Sequence, residues 1–345
     1  MYPLHLVLLL LSAACLRSQT TAVDWFLDYN PQVTAAEDAL LHRDPHTALH
    51  YYQLAFAAPA DPHTHDLYNA ALAARAADRP ALLRQYLGKL AQLGIPVAYF
   101  DRHRMDLDHP QLDWYALRGE LLQYQTQHEQ TFDAELIACY ERVAYRDVVI
   151  RTANPPGEVR QTQDSLNMVG LTDCIATYGF PGQRHLRRSD PMQENYPYYL
   201  PLLHELERVN STGNDRFGFL PLLEYLARRG TIETATYMDL LSTQHARLGG
   251  PGGYGTTSVV LLQDGTNDLY RIVYPPATVA EYEDRRSQLG VRSFRKQAQL
   301  LIDLYTGALG VFPYRIPRHS KLVAYPLEVA DVLRLERVGV VEAKR

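Results

Sequence analysis

A chain of 345 residues exceeds what one hydrophobic core ordinarily spans, so two packed units are expected. Apolar residues make up 46% and charged residues 21%, an ordinary globular balance that excludes a disordered chain. A formal net charge of -5 excludes capture of nucleic acid or of an anionic membrane by the surface as a whole.

Residues Leu6 to Leu11 form an apolar run too short to cross a bilayer, and the small residues Ser12-Ala13-Ala14 follow. That layout predicts a signal peptide over residues 1–20 and an exported protein of the periplasm, cell envelope or extracellular space. The five residues before the run contain neither Lys nor Arg, which departs from the usual pattern. Cys15 introduces an alternative, a lipid anchor, although Ser12 stands where such signals prefer a large aliphatic residue. No later segment reaches 18 consecutive apolar residues, so no transmembrane segment is expected in the mature chain.

Residues 24–150 read as a helical-repeat-like region. Between Ala35 and Leu93, amphipathic stretches are broken at Asp44-Pro45, at Pro59 to Pro62 and at Asp78-Arg79-Pro80. Asp just before Pro predicts a helix start, because the carboxylate caps free N–H groups and Pro fits the first turn. Asp44 and Asp78, Leu49 and Leu83, and Tyr52 and Tyr86 are each 34 residues apart. That period matches the helix-turn-helix unit of tetratricopeptide repeats, without their full Trp/Gly/Tyr pattern. It points to a helical-hairpin array that could hold a protein or peptide partner. Further helices are expected over 112–124 and 132–150.

Asn154-Pro155-Pro156-Gly157 is the strongest break and predicts the boundary of a second unit over 151–310. Helices are expected there near 158–177, 194–209, 216–229, 231–247, 278–288 and 293–306. One β signal stands among them. Thr257 to Leu262 and Leu269 to Tyr274 flank a polar Asp264-Gly265 turn, which predicts a hairpin packed on helices. Residues 311–345 read as a tail whose apolar period between Leu327 and Val338 predicts a short helix.

Chemistry is sparse at the level of motifs. Gly250 and Gly255 have the spacing of a phosphate loop, but Thr256 stands where Lys is needed, and the loop precedes a strand instead of a helix. His46 and His50 share a helical face, yet spacing fixes no third ligand, so solvated histidines are expected along with His42, His63, His65, His103 and His109. No metal and no cofactor is implied. Arg184-His185-Leu186-Arg187-Arg188 reads as a solvated basic loop. Cys139 and Cys174 are expected as two buried thiols on neighbouring helices, with a disulfide as the alternative in an oxidising compartment.

An ordered series runs through the second half: Asp164-Ser165-Leu166-Asn167, Tyr178-Gly179-Phe180-Pro181-Gly182, His204, Tyr237, Tyr254-Gly255-Thr256, and Arg285-Arg286-Ser287-Gln288-Leu289-Gly290. Over residues 140–300 it resembles an uncharacterised bacterial domain-of-unknown-function family. Members carry a D-x-x-N helix, a G-[WF]-P turn, a His-bearing helix, a Y-G-T loop and an R-R-x-x-x-G-L segment. Ser242-Thr243 and Thr257 depart from the Asp-Arg and Gln of that pattern. The resemblance implies a domain and candidate positions, not a reaction. From the residues themselves, Asp164 and Asn167 lie one helical turn apart and could meet His204 and the Tyr254 loop in a cleft.

The expectation is a mainly α protein: a helical-hairpin, repeat-like N-terminal part, then a helical domain with one β-hairpin. A non-catalytic binding protein using the helical array is the first functional reading. The second is a hydrolase-like enzyme with His204 and Asp164 as catalytic residues and Asn167, Tyr254, Gly255, Thr256 and Arg286 as binding residues.

Overall fold

Asp44 accepts from the Thr47 amide at 3.0 Å and so opens the helix Pro45–Phe56, as Asp-Pro predicts. Its expected counterpart, Asp78, does not cap. The helix starts Pro45 and Pro80 lie 35 residues apart, one more than the Leu and Tyr period, so Arg79 takes the residue-before-Pro place. Asp78 instead turns the backbone with φ of 56° and accepts from His109 Nε2 at 2.8 Å. The computed structural model describes residues 23–57, 61–186, 188–191, 196–246, 253–254, 259–262, 268–306, 308–309, 314, 323–325 and 335–340. The expected signal segment and Cys15 lie outside them.

A single π-helical turn, Trp25–Tyr29, leads into α1 (Asn30–Leu41). Then come α2 (Pro45–Phe56), α3 (Thr64–Ala76), α4 (Pro80–Gln92), α5 (Val97–Arg102), α6 (Arg104–Leu107) and α7 (Trp114–Thr131). Packing is sequential: α1 on α2, α2 on α3, α3 on α4 and α4 on α7. Leu49, Leu83, Tyr52 and Tyr86, the periodic residues, are all buried in one cluster. Each fully buried Leu contributes about 1.5–3 kcal/mol through apolar area removed from water. Ala70 to Ala74 are buried side by side, which lets α3 approach its neighbours closely.

The second half continues through α8 (Ala134–Ala153), α9 (Gly157–Tyr178), α10 (Tyr199–Thr212), α11 (Phe219–Arg228) and α12 (Thr234–Ala246). Asn154 to Gly157 turns the chain between α8 and α9, which pack on each other. One core cluster joins Tyr140 and Val143 of α8 to Met168 and Leu171 of α9, so α8 shares its core with the second half. Cys139 and Cys174 tie the same two helices as a disulfide, correcting the expectation of separate thiols. Their Cα atoms lie 5.8 Å apart, within the usual reach of such a bond.

The expected hairpin is present: β1 (Val259–Leu262) pairs antiparallel with β2 (Asp268–Ile272), with Val260 opposite Tyr270. After α13 (Pro276–Gln288) and α14 (Phe294–Tyr305), two more strands complete the sheet. β3 (Val323–Tyr325) runs parallel to β1, and β4 (Leu335–Val340) runs antiparallel to β2, giving the order β3-β1-β2-β4. The end of the tail is therefore a strand where a short helix was expected. Its charged residues pair across the ladder, Arg337 with Asp268 at 2.8 Å and Glu336 with Arg271. Fourteen α-helices and this small sheet make the described chain mainly α. No helix among the described residues is long and apolar enough to cross a membrane.

Candidate functional site

Helices α8, α9 and α10 meet around a buried carboxylate. On α8 the residues Leu136, Tyr140, Val143 and Asp147 follow the helical period of the core face, and Asp147 is the polar residue in that row, its side chain 1% exposed. His204 of α10 points its Nδ1 at Asp147, 2.8 Å from Oδ2 and 3.0 Å from Oδ1. From α9, Asn167 donates through Nδ2 to Asp147 Oδ1 at 3.4 Å and accepts from Gln163 at 3.0 Å. One turn along α8 from Asp147, Arg151 reaches Asp164 Oδ1 at 2.7 Å.

Three of the residues singled out in sequence, His204, Asp164 and Asn167, thus gather in one cluster. Asp147 and Arg151 complete it and were missed. Burial pushes the Asp164 carboxyl above its ordinary value of 3.8, and Asp147 adds to the push, while Arg151 and His204 pull the other way. The His204 side chain is 14% exposed, and its Nε2 has no partner among the described residues. In the neutral imidazole, a proton donated from Nδ1 to a carboxylate is the arrangement that presents a lone pair at Nε2.

Tyr254 and Arg286 lie in a separate cluster. The Tyr254 amide donates to Ser242 Oγ at 3.3 Å, and burial raises the phenols of Tyr254 and of neighbouring Tyr237. Arg286, fully buried, donates through Nε to the Arg292 carbonyl at 2.6 Å and through Nη1 to the Tyr254 carbonyl at 3.2 Å. Burial, with a smaller push from Arg292, draws its guanidinium down to about 9, which leaves it charged at neutral pH. Arg285 donates to the Gly253 carbonyl at 2.8 Å. The Arg-Arg pair therefore pins the Tyr254 loop to α13, and neither Tyr254 nor Arg286 bonds to the His204 cluster. Gly255 and Thr256 lie outside the described residues.

Compared with protein-family models, curated proteins and solved structures, the chain matches none of them. Its chemistry is therefore argued from its own residues. The first half holds more buried polarity than its sequence suggests. His42, His46 and His50 are exposed as expected, whereas His63, His65 and His109 are buried. The basic run is solvated only in part, since Arg184 is exposed while Arg188 is buried. Arg184 bonds Asp61 at 3.0 Å, and buried Arg188 bonds Thr64 at 3.0 Å and lies 3.7 Å from Glu233. Both arginines staple the second half to the first half.

Proposed function

We propose that the second half houses an acid–base site in which buried Asp147 orients His204 for proton transfer in a hydrolysis. The observation that carries this reading is the 2.8 Å contact between Asp147 and Nδ1 of His204, whose side chain is 14% exposed. Nε2 would accept a proton from water as that water attacks a polar bond, and would return it to the leaving group. Asp164, whose carboxyl burial raises above its ordinary value, is a second titratable group in the same cluster. Asn167 holds Asp147 from the opposite helix.

The test is turnover of chromogenic ester, amide and phosphoester panels by the purified chain, beside His204→Gln and Asp147→Asn. Loss of the base is expected to lower kcat/KM by roughly 100- to 10,000-fold with the fold retained by circular dichroism. Turnover that His204→Gln leaves untouched, or no turnover by the parent chain on any panel, overturns the reading.

A second reading, a peptide- or protein-binding array without catalysis, is favoured by the sequential stacking of hairpins in the first half. Met105 and Tyr115, 90% and 79% exposed, flank Arg104, which lies 5.9 Å from the Tyr115 ring. Aromatic, Met and Arg side chains are the residue types enriched where proteins dock. On a peptide array, Tyr115→Ser is expected to weaken binding about tenfold, the scale of a modest interface contact; unchanged binding argues against this surface. We further infer export from the reducing cell interior, a reading supported by the disulfide between α8 and α9.

A further inference from the structure

Deep at the seam of the two halves lies a cluster that the acid–base reading does not use. Glu37 comes from α1, and His65 and Asp66 come from the first turn of α3. Their ligand-capable atoms all lie within 4.8 Å of one another. The three residues are 5%, 7% and 0% exposed. Beside them is a void of about 10 Å³ lined by Glu37, Asp66 and His63 from the first half and by Thr234 and Val291 from the second. That is room for one water molecule or one ion.

We propose that Glu37, His65 and Asp66 bind one divalent transition-metal ion of the zinc or manganese class. Two carboxylate oxygens and an imidazole nitrogen form a mixed oxygen–nitrogen set of the kind that zinc and manganese accept. Two carboxylates held this close in a dry interior repel each other, and a dication between them removes that cost. The surrounding groups hold the ligands in place. Tyr29 donates its hydroxyl to Asp66 Oδ2 at 2.7 Å, and Arg292 Nη1 lies 3.2 Å from Glu37 Oε2. Such outer contacts orient ligating side chains. Because the void is walled by both halves, the ion would fasten α1 and α3 where α12 docks.

The competing explanation is a purely structural ion network, in which Arg292 balances Glu37 and His65, with Nδ1 3.4 Å from Asp66, balances the aspartate. Metal titration separates the two. The full-length chain, stripped by chelation, is titrated with Zn²⁺ and separately with Mn²⁺, and retained metal is counted by mass spectrometry. One equivalent per chain is expected, with a melting temperature that rises with metal concentration. Outer contacts alone are worth 10- to 100-fold in affinity, so Glu37→Gln and His65→Gln are each expected to raise Kd by about 100-fold or more. The exposed pair His46 and His50 could capture zinc at the surface, so the double variant His46→Ala/His50→Ala must keep the equivalent. Should the Gln variants fail to fold, X-ray absorption of the metal-bound parent chain decides: one imidazole nitrogen with carboxylate oxygens supports the site, and two or more imidazoles without carboxylate overturn it. No stoichiometric retention of either metal, or retention lost only in the His46/His50 variant, also overturns it.

Discussion

Asp164 is the residue whose environment makes the clearest statement about pH. Its folded-state carboxyl sits above the ordinary 3.8, chiefly from burial, so folding favours the neutral form. A raised pKa stabilises the fold below the unfolded value, and that contribution is lost as pH rises through the folded value. Asp164→Asn is neutral at every pH and escapes this loss, although it weakens the bond to Arg151 at all of them. Relative to the parent chain, the variant is therefore expected to gain stability as pH rises above the ordinary carboxyl value of 3.8, read from urea midpoints across the acid range. A flat difference across that range would show that Arg151 compensates the carboxylate fully. The sequence made Asp164, Asn167 and His204 legible because they stand in an ordered polar series. Asp147 was hidden by the opposite circumstance, a charge placed in an otherwise apolar helical row. The signal was present: a carboxylate continuing the spacing of Leu136, Tyr140 and Val143 must find a partner when buried. What sequence could not give is that the partner would come from α10, 57 residues further on.

At the scale of elements, helices were legible and their neighbours were not. Amphipathic period and Pro-marked starts are local properties, so α1 to α4 fall where the breaks put them. The last strand was misread because a Val- and Leu-rich stretch satisfies both periods, and pairing with β2 decides in favour of extension. Pairing also decided the cysteines, which lie 35 residues apart on antiparallel helices whose turn sets the register. Opening that bond frees a loop which, by chain entropy, is worth about 3–4 kcal/mol at 25 °C. The variant Cys139→Ser/Cys174→Ser is expected to lose about that much stability in urea unfolding, with α8 and α9 losing hydrogen-exchange protection first. Equal loss of protection in α2 and α4 would place the effect outside this hairpin.

Across the whole molecule, the two halves share their opening turn. Trp25 and Tyr29 belong to the first core cluster and Phe26 to the second, so five residues of π-helix straddle both. Two glycines make that docking sterically feasible. Gly230, with φ of 70°, passes so close to the Trp25 ring that an added Cβ would sit 2.1 Å from it. Gly290, with φ of 66°, would bring a Cβ to 2.2 Å from the Phe26 carbonyl oxygen and 2.8 Å from the Pro31 ring. A left-handed backbone costs an L-residue about 1–2 kcal/mol, and the clash with main chain adds a similar amount, so Gly290→Ala is expected to cost roughly 2–4 kcal/mol. Because α1 anchors here through Asn30, which donates to the Leu289 carbonyl at 2.8 Å, the damage should reach both cores together. Of the chain's two tryptophans, Trp25 packs on Gly230 at the seam, whereas Trp114 of α7 lies within the first core, so the Trp114 contribution to fluorescence reports that half. Hydrogen exchange along α10 reports the other. In Gly290→Ala the two signals are expected to move to the same lower urea midpoint. A fluorescence midpoint that stays at the parent value while α10 loses protection would mean that the halves unfold independently and that the shared turn does not couple them.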